Sequence, residues 1–270
     1  DSQMKHLHHQ ISDLYNSLIY LTNKKLSLRS KNHLHQLRIA TRKFQALLRL
    51  LKFGIPKKLF RKVQKLLDTI RRKAGKTRNL QLFLENIRKA TFSNTSLKKI
   101  FITHIQKTIR FSKARFCLFA KKRKSKLSVL LKEVSSQMMT ICKLKPSKIK
   151  QDKVRGFKKR VESAIRNKRI GFKEIHELRI TAKKLRYQFE IISEIQTSKH
   201  HQSAIRRLRK IQKFLGRITD QKLFIRHLIK LRKHFKKEAD VSLKELDGMI
   251  WQAKQRFLKT TSSMCLKKII

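Results

Sequence analysis

A basic amphipathic stretch that occurs twice constrains the fold of this chain more than any other feature. Residues 35–49 read HQLRIATRKFQALLR, and residues 176–190, which lie 141 positions later, read HELRITAKKLRYQFE. The histidine, the first leucine, the arginine, the isoleucine and the basic pair stay in register. The same offset continues beyond the stretch, where Gly75 matches Gly216. We therefore predict an internal repeat of two similar halves.

The remaining pattern predicts an all-α protein. Only two prolines and six glycines interrupt 270 residues, and apolar residues recur at three-and-four spacing without sustained alternation. We expect helices over residues 2–24, from Ser30 or Asn32 to about 53, 57–74, 77–90, 94–142 as one helix or two, 149–169, 172–194, 199–215, 217–236 and 240–263. Gly75 is expected to end one helix, and Pro146 marks the midpoint. The prediction is a single compact domain over 1–270, with halves 1–145 and 146–270 forming helical bundles related by a pseudo-two-fold axis.

Each repeated stretch carries an apolar row and a basic row. Residues three and four apart share a face of an α-helix, which predicts a buried face of Leu34, Leu37, Thr41, Phe44, Leu48 and Leu51, and of Ile175, Leu178, Ala182, Leu185, Phe189 and Ile192. One residue further on lie His35, Arg38, Arg42, Gln45 and Arg49, and His176, Arg179, Lys183, Arg186 and Glu190. A one-residue step is a rotation of about 100°, so the basic row borders the core. We expect it to line a groove or pore between helices; a solvated basic face is the alternative.

The charge balance predicts a polyanionic partner. There are 71 Lys and Arg against 16 Asp and Glu, a formal net charge of +55 that internal ion pairs cannot neutralise. Nucleic acid is one such partner, but proteins that read single strands usually add aromatic side chains that stack on bases. Here phenylalanines such as Phe44, Phe83, Phe189 and Phe224 occupy core positions, and Tyr187 is the aromatic residue beside the rows. The groove is therefore better suited to phosphate than to bases.

Catalysis, metals and membranes are not indicated. The acids are scattered singly, so we expect no enzyme and no cofactor. The histidine clusters at 6–9 and 200–201 lack carboxylates or thiols at ligand spacing, so we expect no metal. Cys117, Cys142 and Cys265 are odd in number and far apart, which favours a reduced cytoplasmic compartment. No apolar run approaches the roughly 18 residues of a membrane span, so we expect a soluble protein without a membrane partner.

At these residues the chain resembles the CHAD family, the conserved histidine α-helical domain. The hallmark is a twice-used helix of the form His-x-x-Arg-Ile/Val-x-x-Arg/Lys-Arg/Lys, followed by a helix pair around a Leu-Gly-x-x-Arg-Asp-like turn. The helix is matched by His35, Arg38, Ile39, Arg42 and Lys43 and by His176, Arg179, Ile180, Lys183 and Lys184, and the turn is echoed by Gly75, Arg78, Asn79, Leu215, Gly216 and Asp220. The departures are Gln45 and Glu190 in the basic rows, and Asn79 and Thr219 in the turns. The resemblance implies two helical bundles around a basic pore or cleft that binds inorganic polyphosphate, and localisation to polyphosphate granules.

The candidate polyphosphate-binding residues come from the two rows and the segments that follow them. They are His35, Arg38, Arg42, Lys43, Arg49, Arg72, Arg78, His176, Arg179, Lys183, Lys184, Arg186, Lys213 and Arg217. The row from His35 to Arg49 is roughly 21 Å long at the helical rise, enough to follow several phosphates, for which sulfate or phosphate ions are mimics. Each histidine heads its row near a helix N-terminus, where the dipole favours neutral imidazole. It is expected to donate to phosphate or to organise arginines; a purely structural histidine is the alternative.

Overall fold

The described part of the chain contains seven long α-helices. The structure is a computed structural model that describes residues 2–23, 32–141, 156–157, 159–163, 171–195, 198–236 and 243–262. The helices are α1 (Ser2–Asn23), α2 (His33–Leu50), α3 (Lys57–Lys89), α4 (Thr95–Met139), α5 (Phe172–Ile195), α6 (Lys199–Phe235) and α7 (Lys244–Ser262), with a 3-10 turn at Lys52–Gly54. The described residues between 156 and 163 are also helical, and the described ranges contain no strand. The all-α prediction is confirmed.

The apolar rows of α2 and α5 form the buried faces that the sequence predicts. None of their twelve side chains is more than 5% exposed. Thr41, the polar member, donates its hydroxyl hydrogen to the carbonyl oxygen of Leu37 at 2.6 Å. The two rows therefore fix how α2 and α5 are rotated, and with them the direction of the basic rows.

Three hydrophobic cores hold the helices together. The first lies among α1, α2, α3 and α4 and includes the end of α5. The second joins α5 to α6, with Phe157 and Val161 packed against them. The third lies where the end of α3 and the start of α4 meet α7 and the end of α6. Because α2 also packs directly on α5, the two repeated helices face each other in the middle of the molecule.

The predicted helix ends at Gly75 and Gly216 are wrong. Helices α3 and α6 run through these glycines without interruption, over 33 and 37 residues. A glycine inside a helix costs about 0.5–1 kcal/mol relative to alanine. That cost is too small to end a helix whose flanking turns are both packed into a core.

Most other predicted boundaries hold. Helix α2 ends before residues 54–56, as predicted, and α3 begins directly after Pro56. Residues 95–139 form one helix, the first of the two possibilities, and the Asn94 side chain accepts a hydrogen bond from the backbone N–H of Leu97 at 2.9 Å. None of the described helices combines the length and apolar character needed to cross a membrane. Ser30, Cys142, Pro146, Cys265 and most of the helix expected over 149–169 lie outside the described residues.

Candidate functional site

Five cations from three helices converge where α2 meets α5. They are Arg38 and Arg42 from α2, Arg71 from α3, and Arg179 and Lys183 from α5, and we call them the central cluster. Arg38 lies within electrostatic reach of Arg42, Arg71 and Arg179, and Lys183 within reach of Arg38, Arg42 and Arg179. All five side chains are partly buried. The basic rows of the two motif helices thus meet each other instead of facing solvent separately.

The central cluster holds its positive charges at an energetic cost. Burial, followed by the neighbouring arginines, lowers the pKa of Lys183 from 10.5 to about 6 and the pKa of Arg38 to about 10. Burial also lowers the pKa of Arg42 and of Arg179, against the opposing effects of the Tyr187 phenol and the Asp220 carboxylate respectively. An anion bound among these side chains would relieve the repulsion and raise these pKa values.

The central cluster has fewer carboxylates than cations. Arg71 pairs with Asp68 at 2.7 Å, and Arg179 lies 3.5 Å from the exposed carboxylate of Asp220. Among the described residues, no carboxylate lies within 4.0 Å of the other three cations. The Nε atoms of Arg71 and Arg179 are buried and make no hydrogen bond. The cluster therefore offers both uncompensated charge and unused donors to an anion.

Gly75 and Gly216, through which α3 and α6 continue, lie beneath Arg38 and Arg179 of the central cluster. A Cβ atom on Gly75 would overlap Nη1 of Arg38, which passes directly over the α3 backbone at this point. At the equivalent Gly216, a Cβ atom would lie 3.7 Å from Nε of Arg179, an ordinary contact distance. The absence of a side chain at Gly75 gives Arg38 its position.

Further cations extend the central cluster at both ends. At one end, Arg78 contributes to the lowered pKa of both Arg38 and His35. At the other end, burial lowers the pKa of Arg49 and of Lys184, and Arg71 of the cluster lowers both further. These side chains continue the positive surface along the direction of α2.

The two motif histidines are exposed, and the pKa of each is lowered. For His35 the causes are partial burial, then Arg78, Arg38 and Arg42; for His176 they are partial burial, then Arg179 and Lys183. The direction agrees with the neutral imidazole expected from the sequence. The physical cause is mainly desolvation and neighbouring cations, which is a different reason from the helix dipole.

Neither the central cluster nor the cations that extend it include the predicted site residues Lys43, Arg72, Lys213 and Arg217. Nζ of Lys43 is 3.8 Å from a carboxylate oxygen of Glu194, and its side chain borders a cavity between α1, α2 and α5. Arg72, Lys213 and Arg217 are exposed, and none contributes to the lowered pKa values of the cluster cations. Lys43 follows Arg42, Arg72 follows Arg71 and Arg217 follows Gly216, so a rotation of about 100° separates each of these three residues from the site.

Arg186 has a different environment from the one its row predicted. Its guanidinium carbon lies 4.5 Å from the centre of the Tyr187 ring, and its Nε is 3.8 Å from a carboxylate oxygen of Glu190. Glu190 also accepts a hydrogen bond from Arg209 on α6 at 2.9 Å. Arg186 therefore covers the aromatic ring beside the cluster and already has an acidic neighbour.

The first repeat carries the opposite charges at the equivalent positions. The offset of 141 relates Arg49 to Glu190 and Asp68 to Arg209, and the Asp68 carboxylate partly offsets the lowering of the Arg49 pKa by burial. Gln45, expected in the groove, is instead only 2% exposed and donates to Asp68 at 3.1 Å. Gln45 thus fastens α2 to α3 and fixes the carboxylate that neutralises this end of the row.

Arg71 is the cluster residue that the sequence reasoning missed. It belongs to a series on α3, Asp68, Arg71, Gly75 and Arg78, whose members are three, four and three residues apart. That spacing places all four on one face of the helix. This spacing is the sequence signal for Arg71, and it is visible only if the helix is taken to continue through Gly75.

Metal and thiol chemistry have little support in the described residues. No group of three or more His, Cys, Asp or Glu side chains is arranged to hold a metal ion in these ranges. Cys117 is a free, partly buried thiol on α4, and burial raises its pKa. A raised pKa keeps the thiol protonated and unreactive at neutral pH.

The fold and the site together define an all-helical domain with a cation cluster between two equivalent helices. The chain belongs to the CHAD family, because the family model of the CHAD domain matches residues 19–229. Among solved structures, the chain is similar to the CHAD domain from the plant Ricinus communis, with a TM-score of 0.68 and 16% identity over 98% of this chain and 89% of that chain. At that identity the similarity concerns the fold. No curated protein matches the sequence.

Proposed function

We propose that this chain binds inorganic polyphosphate without transforming it, and that the central cluster is the principal contact. The proposal rests on five partly buried cations that meet at one place, where the described residues pair only two carboxylates with them. Phosphate oxygens would supply the missing negative charge. Guanidinium groups suit this ligand because they donate two parallel hydrogen bonds to it and keep their charge.

The arrangement favours a linear polymer over a single phosphate. Arg78 and His35 continue the positive surface at one end of the cluster, and Arg49 and Lys184 continue it at the other. A chain that follows this surface would bind more tightly as it lengthens and more weakly as salt rises. We propose the cytoplasm, and polyphosphate granules within it, as the place where this binding occurs.

Nucleic acid is the alternative ligand, and the aromatic residue beside the cluster does not favour it. Tyr187 is only 6% exposed, and Arg186 lies over its ring. A base therefore has no free aromatic face there on which to stack. Sequence-independent contacts to a nucleic-acid backbone would use the same cations, so a direct competition must decide between the two polymers.

The competition compares two polyanions at equal phosphate concentration. Labelled long-chain polyphosphate is bound to the protein at physiological salt and titrated with duplex DNA, and we expect the polyphosphate to remain bound. Displacement by DNA at equal phosphate concentration would overturn the proposal. Free phosphate is measured in the same samples with magnesium present, and a steady rise would show that the polymer is hydrolysed instead of only bound.

The Gly75→Ala substitution should weaken polyphosphate binding without weakening the fold. The new methyl group displaces the Arg38 guanidinium from the cluster, and losing one charge-assisted contact corresponds to about tenfold in affinity. Alanine also favours the helix by about 0.5–1 kcal/mol. We expect an unchanged or higher melting temperature together with the lower affinity, measured by thermal unfolding and by titration.

Gly216→Ala is the matched control for this prediction. It introduces the same methyl group at the equivalent position of α6, at ordinary contact distance from Arg179. We expect the affinity to be unchanged and the melting temperature to rise slightly. Equal losses of affinity in both variants would contradict the role assigned to Gly75.

A further inference from the structure

Helix α4 carries a second cationic surface that the central cluster does not use. The helix holds twelve Lys or Arg residues and a single acid, Glu133. Its buried residues, among them Phe101, Ile109, Phe116 and Leu131, pack into the first and third cores. The opposite side therefore faces away from the protein and carries most of this positive charge.

Four large apolar side chains lie in a single line along that exposed side. They are Ile100, Phe111, Leu118 and Val129, with exposed fractions of 45, 63, 61 and 64%. Their spacings of 11, 7 and 11 residues are close to three, two and three helical turns, so the line runs along the helix for about 44 Å. Helix α4 has no other large exposed apolar residue. Solubility alone does not explain why all four lie in one line.

Cations border this line on both sides. Exposed Lys107 and Lys132 lie on one side of it, and exposed Arg115, Lys122 and Lys126 lie on the other. Glu133 is the acid of α4 and is also exposed there. We call this surface, the four apolar residues with their five neighbouring cations, the α4 outer face.

We propose that the α4 outer face docks on the surface of an anionic lipid bilayer. Apolar side chains in a line along a helix enter the boundary between headgroups and acyl chains, while long basic side chains beside them reach anionic headgroups. The cations supply charge complementarity to such a surface, and the apolar line supplies side chains that can enter the acyl region. We expected no membrane partner because the sequence has no apolar run long enough to span a bilayer. A helix that lies along the bilayer surface does not need such a run.

Other occupants fit the α4 outer face less well. A protein partner buries a contiguous apolar patch and excludes lysine from its centre, whereas lysines here lie between apolar residues more than 10 Å apart along the helix. Duplex nucleic acid would contact the cations but gain little from Ile100, Leu118 and Val129. A second copy of this chain would be repelled by the net charge of +55.

The test must separate insertion from adsorption, since any strongly basic protein adheres to anionic vesicles. The single tryptophan, Trp251, is replaced by Phe, and a new tryptophan is placed by Phe111→Trp or, as a control, by Phe53→Trp. Phe53 is 77% exposed but lies in the turn between α2 and α3. With phosphatidylcholine–phosphatidylglycerol vesicles that contain brominated lipid, we expect a blue shift and quenching at position 111 and neither at position 53. Adsorption without quenching at 111 would overturn the proposal.

A second pair of variants measures the contribution of the apolar line to affinity. Leu118→Ser with Val129→Ser should lower vesicle affinity more than tenfold at salt high enough to screen adsorption. Trp251→Ser with Leu258→Ser removes two equally exposed apolar side chains from α7 and should change it little. Circular dichroism confirms that both variants fold. If the α4 variant binds vesicles normally but loses affinity for duplex DNA or an acidic peptide, the face serves that ligand and the proposal fails.

Discussion

Neutralising the four cations that α2 and α5 contribute to the central cluster is expected to lower the affinity for long-chain polyphosphate by about a hundredfold or more. The variant combines Arg38→Gln, Arg42→Gln, Arg179→Gln and Lys183→Gln. Three of these cations have no carboxylate within ion-pair distance among the described residues, so their interaction with the ligand is not offset by the loss of an internal ion pair. Titration at physiological salt measures the effect.

The matched control removes the same number of basic side chains from an exposed surface. Lys57→Gln, Lys58→Gln, Arg61→Gln and Lys62→Gln neutralise four exposed cations at the start of α3. The control removes at least as much charge as the cluster variant, because the Lys183 amine is largely neutral before the ligand binds, so general electrostatic attraction falls at least as far in the control. We expect only a few-fold loss of affinity in the control, since screening weakens distant surface charges. Equal losses would mean that polyphosphate responds to total charge and not to the cluster.

Melting temperatures provide an independent test of the same cluster variant. Removing like charges from a partly buried site relieves repulsion, so the ligand-free cluster variant should be at least as stable as the unmodified protein. Polyphosphate should raise the melting temperature of the unmodified protein far more than that of the variant, because a ligand stabilises the state it binds. A cluster variant that unfolds more easily without ligand would show that the cations stabilise the fold.

Polyphosphate binding is expected to take up a proton at Lys183. In the ligand-free protein the pKa of Lys183 is about 6, so its amine is largely neutral at physiological pH. A bound anion favours the charged form and raises this pKa. Calorimetric titration in buffers of different ionisation enthalpy, at about pH 8 where the lowered pKa values of His35 and His176 keep both neutral, should show proton uptake that Lys183→Met abolishes.

The same pKa predicts how stability depends on pH without ligand. Between about 6 and 10.5 the unfolded chain holds a proton on Lys183 that the folded chain lacks, so stability rises with pH across this window. Below about pH 6 the folded protein carries the full cost of the buried charge. Lys183→Met should flatten this rise in thermal unfolding, whereas Lys173→Met, at an exposed position of α5, should leave it unchanged. An unchanged pH profile in Lys183→Met would contradict the lowered pKa.

The sequence predicted the features of the fold and site that depend on residues close together along one helix. The apolar rows of α2 and α5 are local patterns with the helical period, and they fixed which sides of those helices are buried. Arg38, Arg42, Arg179 and Lys183 were found because they lie one residue beyond those rows. The repeat added the inference that the two basic rows belong together.

What the sequence did not predict depends on contacts between helices. The sequence shows that a glycine lacks a side chain, but not which neighbour occupies the space. Gly75 was therefore interpreted as a helix end, whereas in the structure it leaves room for the Arg38 guanidinium. The offset of 141 matches Arg72 with a second base, Lys213, and therefore favoured Arg72 over Arg71, whereas the face that α3 turns toward α2 is set by tertiary packing. The burial of Gln45 likewise depends on its hydrogen bonds to Gln64 and Asp68 of another helix.

The charges at two pairs of equivalent positions have opposite order, Arg49 with Asp68 and Glu190 with Arg209. Two identical half-length chains that assemble as a symmetric dimer must carry the same residue at equivalent positions, so a substitution in one appears in both. A single chain is free of this constraint. The two motif helices can therefore carry different charges, and a ligand bound between them does not meet the same residues on both sides.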